Sequence, residues 1–116
     1  MKDQLFMLKP GFFDGDKGPL YCADAVSIEG MLGFFPQLRE KIDVHYVDAP
    51  RPRRAIVELL GEENQGTPVL VLAEGSTPRD IGLQYRTAGK RRFIDSPADI
   101  RRYLSSQYGI ANSSAD

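Results

Sequence analysis

TPVLVLAEG, residues 67–75, carries the reading of the fold. From Pro68 to Ala73 every side chain is apolar, with no polar position interleaved. A half-exposed strand would alternate, and the run is too short for a buried helix. It therefore predicts a central strand covered on both faces. Such a strand needs helices above and below it, and the flanking sequence supplies them.

Upstream, Gln4 to Lys9 holds a second apolar run, Leu5-Phe6-Met7-Leu8, read as the first strand and stopped by Pro10-Gly11. A loop with Asp14, Gly15, Asp16, Gly18 and Pro19 leads to Tyr21-Cys22. From Ala23, the positions Ala25, Ile28, Met31, Leu32 and Phe35 recur at helical spacing, and Pro36 ends that helix near Phe35. Ile42 to Val47 alternates and reads as a strand. A short helix, Arg53 to Leu60, follows, with Pro52 at its first position and Gly61 at its end. Its apolar face is Ile56, Val57, Leu59 and Leu60.

Downstream, residues 74–91 form a long polar connection, and Arg92 to Ile94 a short edge strand. Ser96-Pro97-Ala98-Asp99 then offers an N-cap, a proline at the first helical position and an acid three residues after the cap. The last helix runs to about Tyr108 with Ile100, Tyr103 and Leu104 inward. The order β-α-β-α-β-β-α, with right-handed crossovers making the first pairs parallel, predicts one α/β sandwich domain over residues 1–110 with a four-stranded mixed sheet. Residues 111–116 read as a disordered tail.

The chain of 116 residues is long enough to bury a core without metal or disulfide staples. A net charge of −1 argues against general affinity for nucleic acid. No apolar run approaches the roughly 20 residues that span a bilayer, so neither a membrane nor a nucleic-acid partner is expected. The N-terminal apolar stretch is too short for a signal peptide, and a lone cysteine suits a reducing compartment, so the expected location is cytoplasmic. Charge is uneven: Arg79, Arg86, Lys90, Arg91, Arg92, Arg101 and Arg102 face only Asp80, Asp95 and Asp99 between residues 79 and 102. That segment is either a solvated face or a site for a small anion.

Three marks carry a resemblance: Cys22 opening the first helix, Thr67-Pro68 opening the third strand, and Asp95-Ser96 opening the last helix. In this order of elements they resemble the thioredoxin fold, closest to glutaredoxins and the N-terminal domain of glutathione transferases. The chain also resembles an uncharacterised bacterial family of small thioredoxin-like proteins, a domain of unknown function. The residues that match it are Tyr21-Cys22, Ile28-Glu29-Gly30, Pro50-Arg51-Pro52-Arg53 and Asn64-Gln65. The thioredoxin resemblance implies a cis peptide before Pro68, with the Thr67 backbone free to pair with a peptide-like ligand. It also implies that Asp95 and Ser96 hold the γ-glutamyl end of glutathione, a role that competes with simple helix capping by Ser96.

Cys22 is the candidate nucleophile, and Ala25 stands where a second cysteine would complete Cys-x-x-Cys. Without that partner, dithiol chemistry within one chain is excluded. A helix N-terminus favours the thiolate and Asp24 opposes it, leaving packing and reactivity both open. Tyr21 either supports a bound sulfur or packs on the first helix. His45 has no second imidazole or thiol nearby in sequence, so no metal site is expected. Pro50-Arg51-Pro52-Arg53-Arg54 is either a stiff lead-in to a helix or a clamp for a carboxylate or phosphate. Tyr85, Arg86 and Arg91 in the long connection offer a partner surface.

The favoured reading is a non-catalytic binding module for a ligand or protein, because Ala25 removes the second thiol. The alternative is a monothiol, glutathione-linked oxidoreductase or transferase, and a homodimer joined through Cys22 is a third. The oligomeric state is not encoded in the sequence.

Overall fold

A computed structural model describes residues 1–115. The elements are β1 (Asp3–Leu8), β2 (Phe12–Asp14), β3 (Lys17–Leu20), α1 (Ala23–Phe34), α2 (Leu38–Lys41), β4 (Ile42–Val47), α3 (Arg54–Leu60), β5 (Val69–Val71), β6 (Arg86–Ala88), β7 (Arg91–Ile94) and α4 (Pro97–Tyr108). The main sheet is mixed and five-stranded, in the order β4-β1-β5-β7-β6, with β1 and β4 parallel and the other pairs antiparallel.

The expected four-stranded sheet is therefore corrected to five. The added strand, β6, pairs with β7 through a two-residue turn at Gly89-Lys90, where Gly89 takes φ +59°. Positive φ at the first turn position suits the tight hairpin turns that favour glycine. This hairpin moves β7 off the edge: the segment read as an edge strand lies between β5 and β6.

The central strands are covered on both faces, which is why their sequences do not alternate. Leu5 and Met7 of β1 join Leu70, Leu72 and Ile94 against Ile28 and Leu32 of α1 and Ile100, Tyr103 and Leu104 of α4. Phe6, Val69, Val71 and Phe93 point the other way, onto Ile56 and Leu60 of α3. Pro36 ends α1 as expected, but the chain re-forms one short turn, α2, which buries Leu38. Helix α3 begins one residue late: Arg53 is its N-cap, and Pro52 precedes the helix rather than opening it. Ser96 caps α4 as predicted, its Oγ accepting the Asp99 N–H at 3.5 Å. Of the expected tail, residues 111–115 are described, with the Ala111 carbonyl accepting from Ser105 Oγ; Asp116 lies outside the described residues.

At the far end of the sheet, Asp3 is buried. Its carboxylate accepts hydrogen bonds from Tyr103 Oη at 2.6 Å, Tyr108 Oη at 2.7 Å and the Ala73 N–H at 2.7 Å. One side chain thus ties the start of β1 to α4 and to the segment leaving β5. A buried carboxylate is tolerated when its lone pairs are met in this way.

The long connection is pinned rather than free. Arg102 donates twice to Asp80, at 2.6 and 2.9 Å, the Gly82 N–H reaches the same carboxylate at 3.0 Å, and Arg92 holds the Ser76 carbonyl. The basic segment is thereby broken into local contacts, with Arg86 on Asp95 and Arg91 on Glu74. The hydrogen bonds from Arg102 hold the Asp80 carboxyl below its usual range. A depressed carboxyl pKa contributes above the unfolded value and is lost as pH falls through the folded one. The Gly82 amide shift, followed by NMR in acid, should therefore titrate below the ordinary carboxylate value of about 4. In Arg102→Gln its midpoint should move up toward that value; an unchanged midpoint would show that the ion pair does not set it.

Among the described residues, no helix is long and apolar enough to cross a membrane.

Candidate functional site

Cys22 is the N-cap residue of α1, with extended backbone (φ −77°, ψ 114°), and its carbonyl accepts the Ala25 N–H at 3.2 Å. The helix begins where the apolar stripe begins, so the thiol stands at its mouth, half-buried. It lines a pocket of about 130 Å³ with Met7 and Leu8 from β1, Ala25 and Val26 from α1, and Tyr21. Tyr21 does not pack down on α1: it is 68% exposed and stands at the rim.

The polar end of this pocket is made by Glu29 and Tyr46. Tyr46 Oη donates to Glu29 Oε1 at 2.6 Å, and Arg39 reaches both groups at 3.3–3.4 Å. Burial, then the hydrogen bond to Glu29, raises the Tyr46 phenol above its ordinary value and keeps it protonated. The sequence assigns neither residue a role: Glu29 stands only within the Ile28-Glu29-Gly30 match, and Tyr46 within the strand Ile42 to Val47.

Arg53, half-buried, is the N-cap residue of α3. Arg53 Nε donates to the Ala49 carbonyl at 2.9 Å, and Nη1 to the Gln65 carbonyl at 2.7 Å and Thr67 Oγ1 at 3.5 Å. Its backbone N–H in turn donates to Gln65 Oε1 at 2.7 Å. The Pro-Arg-Pro-Arg and Asn-Gln segments are therefore two halves of one clasp. Desolvation, then the neighbouring Arg51, lowers the Arg53 pKa, and Cys22 opposes that shift.

The clasp leads directly into Thr67–Pro68, whose peptide bond is cis, as are Gly18–Pro19 and Arg51–Pro52. Among the described residues, no hydrogen bond involves the Thr67 backbone. Arg53 thus connects Thr67 with Ala49 and Gln65.

Asp95 and Ser96 lie apart from the thiol pocket. Asp95 lines a different, polar pocket with Asn64, Gly66 and Arg86, and its carboxylate is bound by Arg86. Ser96 Oγ is occupied by the α4 cap. His45 stacks on Phe6 with ring centroids 4.8 Å apart, and its Nε2 meets Gln4 Oε1 at 2.5 Å. With Gln4 Nε2 committed to Asp43, the imidazole is the donor there, a structural role.

The segment from Phe12 to Leu20, read as a loop, is a hairpin of β2 and β3 that leads into Tyr21-Cys22. Gly15 takes φ +63° at its turn, and a Cβ at Gly18 (φ +152°) would lie 2.6 Å from the Phe13 ring. The signal was present as Gly15-Asp16 following Phe12-Phe13, a short glycine-led turn.

Fold and site together define a small mixed α/β domain that presents a half-buried thiol in a small pocket and a clasped arginine leading into Thr67–Pro68. The chain belongs to the family described as protein of unknown function (DUF3088), whose model matches residues 2–112. No curated protein and no solved structure is significantly similar to it.

Proposed function

We propose that the chain is a thioredoxin-fold binding module, in which the Cys22 pocket and the free Thr67 backbone receive a ligand or a segment of another protein without turnover. The observation that carries this reading is the apolar rim of the pocket. Tyr21, Val26 and Tyr46, which line it, are all large and exposed, and they come from the residue before Cys22, from α1 and from β4. Exposed apolar side chains gathered at a concave site suit recognition. The order β4-β1-β5-β7, parallel in its first pair and antiparallel after it, supports the thioredoxin-like assignment.

The second reading is a monothiol cycle, supported by the half-buried Cys22 thiol at the start of α1, where it lines a pocket. In that cycle the Cys22 thiolate attacks the glutathione sulfur of a mixed disulfide, and the target leaves as its thiol. A second glutathione then attacks, freeing Cys22 and forming glutathione disulfide. Asp95 would have to share its contact with Arg86 to hold the ligand's γ-glutamyl end.

The test is glutathione-dependent reduction of a small mixed disulfide by wild type and Cys22→Ser, with glutathione binding followed by calorimetry at concentrations of about 1–10 mM. The binding module predicts no turnover that depends on Cys22. Turnover abolished by Cys22→Ser, together with saturable glutathione binding, would replace it with the second reading.

A further inference from the structure

Beside the thiol pocket lies a second, polar pocket of about 360 Å³, between Lys9 and Pro50 on one side and Pro52, Arg53 and Arg54 on the other. Its distinctive member is Arg53. The guanidinium is half-buried and fixed by the Ala49 and Gln65 carbonyls and by Thr67 Oγ1, all neutral acceptors. Among the described residues no carboxylate pairs with it, and Nη2 has no acceptor. A partly desolvated cation without a counter-charge is an unfavourable arrangement in a folded chain. Two neighbouring cations make it worse: Arg51 adds to the positive field and Arg54 lines the same pocket. Asp48 also lines the pocket, but its carboxylate pairs with Lys9 at 3.2 Å.

From this geometry we infer that Arg53 and Arg54 form a binding site for a small oxyanion, a carboxylate or phosphate group, adjoining the Cys22 pocket. Nη2, left without an acceptor by the fold, can donate to one oxygen of such a group, and the Arg54 guanidinium lining the same pocket to another. The clasp holds Arg53 in place before the ligand arrives, so little rotamer entropy remains to be lost on binding. The site stands whether or not Cys22 reacts, because none of its contacts uses the thiol.

Calorimetry with inorganic phosphate and, separately, succinate tests it in a Cys22→Ser background, which keeps the outcome independent of thiol chemistry. Saturable binding with a Kd of about 1 mM or tighter is expected for at least one anion, and which one binds tells phosphate from carboxylate. Binding should weaken as salt is raised. Arg53→Gln should weaken it tenfold or more, at about 1.4 kcal/mol per tenfold, and Arg54→Gln by a smaller factor. Should Arg53→Gln fail to fold because the clasp is lost, the exposed Arg54→Gln decides. Absence of saturable binding for both anions, or binding unchanged in every folded variant, overturns the site.

Discussion

Asp3→Ala is expected to lower the stability of the protein by about 3–4 kcal/mol, more than any single surface change. The substitution leaves the Tyr103 and Tyr108 hydroxyls and the Ala73 N–H without their acceptor at once. One orphaned buried donor costs about 1–3 kcal/mol, and partial relaxation keeps the total below three times that. Tyr103→Phe should cost about 2 kcal/mol, as expected for one hydrogen bond to a charged group, and Tyr108→Phe less, since that hydroxyl is only partly buried. Urea unfolding of the three variants measures this order directly. Asp3→Ala within about 1 kcal/mol of wild type would mean that water replaces the carboxylate without loss.

The same cluster sets an alkaline limb. Burial first, then the hydrogen bond to Asp3, raises both tyrosines well above the ordinary phenol range. A group whose folded pKa is raised contributes fully below its unfolded value, and that contribution is lost as pH rises toward the folded one. Stability should therefore decline above about pH 10, with a shallower decline in Tyr103→Phe.

Ile28→Ala should cost about 2–4 kcal/mol and also change the reactivity of the site. Only Ile28 and Leu32 of α1 are fully buried, so this substitution removes one of the two side chains that anchor the helix most deeply in the core. Since Cys22 caps that helix, its alkylation by iodoacetamide under native conditions should accelerate as α1 opens locally more often. Val26→Ala, on the exposed side of the same helix, should leave stability within about 0.5 kcal/mol. Equal alkylation rates in wild type and Ile28→Ala would mean that the thiol is reached without any movement of α1.

The parts of this molecule legible in the sequence are those governed by local pattern. Leu5-Phe6-Met7-Leu8 and Val69-Leu70-Val71-Leu72 announce strands buried on both faces because nothing polar interrupts them. Ser96-Pro97 announces a helix start because capping is satisfied within four residues. The edges were harder. Strand β6 carries Arg86-Thr87-Ala88, mostly exposed and without an apolar face, so no periodicity marks it. The chemistry of the site was hardest. Cys22 is legible because cysteine is distinctive, and Glu29 and Arg53 stand in segments the sequence singles out, but the packing of Glu29 against Tyr46 at the thiol pocket leaves no spacing to read. Asp3 likewise reads as a polar flank to a strand until the tyrosines 100 and 105 positions away close around it.

That separation bears on how the domain comes into being during synthesis. Strand β1 emerges first yet sits inside the sheet between β4 and β5, and its first residue finds its tyrosine donors only in the last helix. A nascent chain lacking α4 would hold an apolar strand whose neighbours are incomplete and a carboxylate with nothing to receive. Closure of this cluster therefore awaits α4, since contacts distant in sequence form late. Until then Leu5, Phe6 and Met7 stay open to whatever apolar surface they meet first.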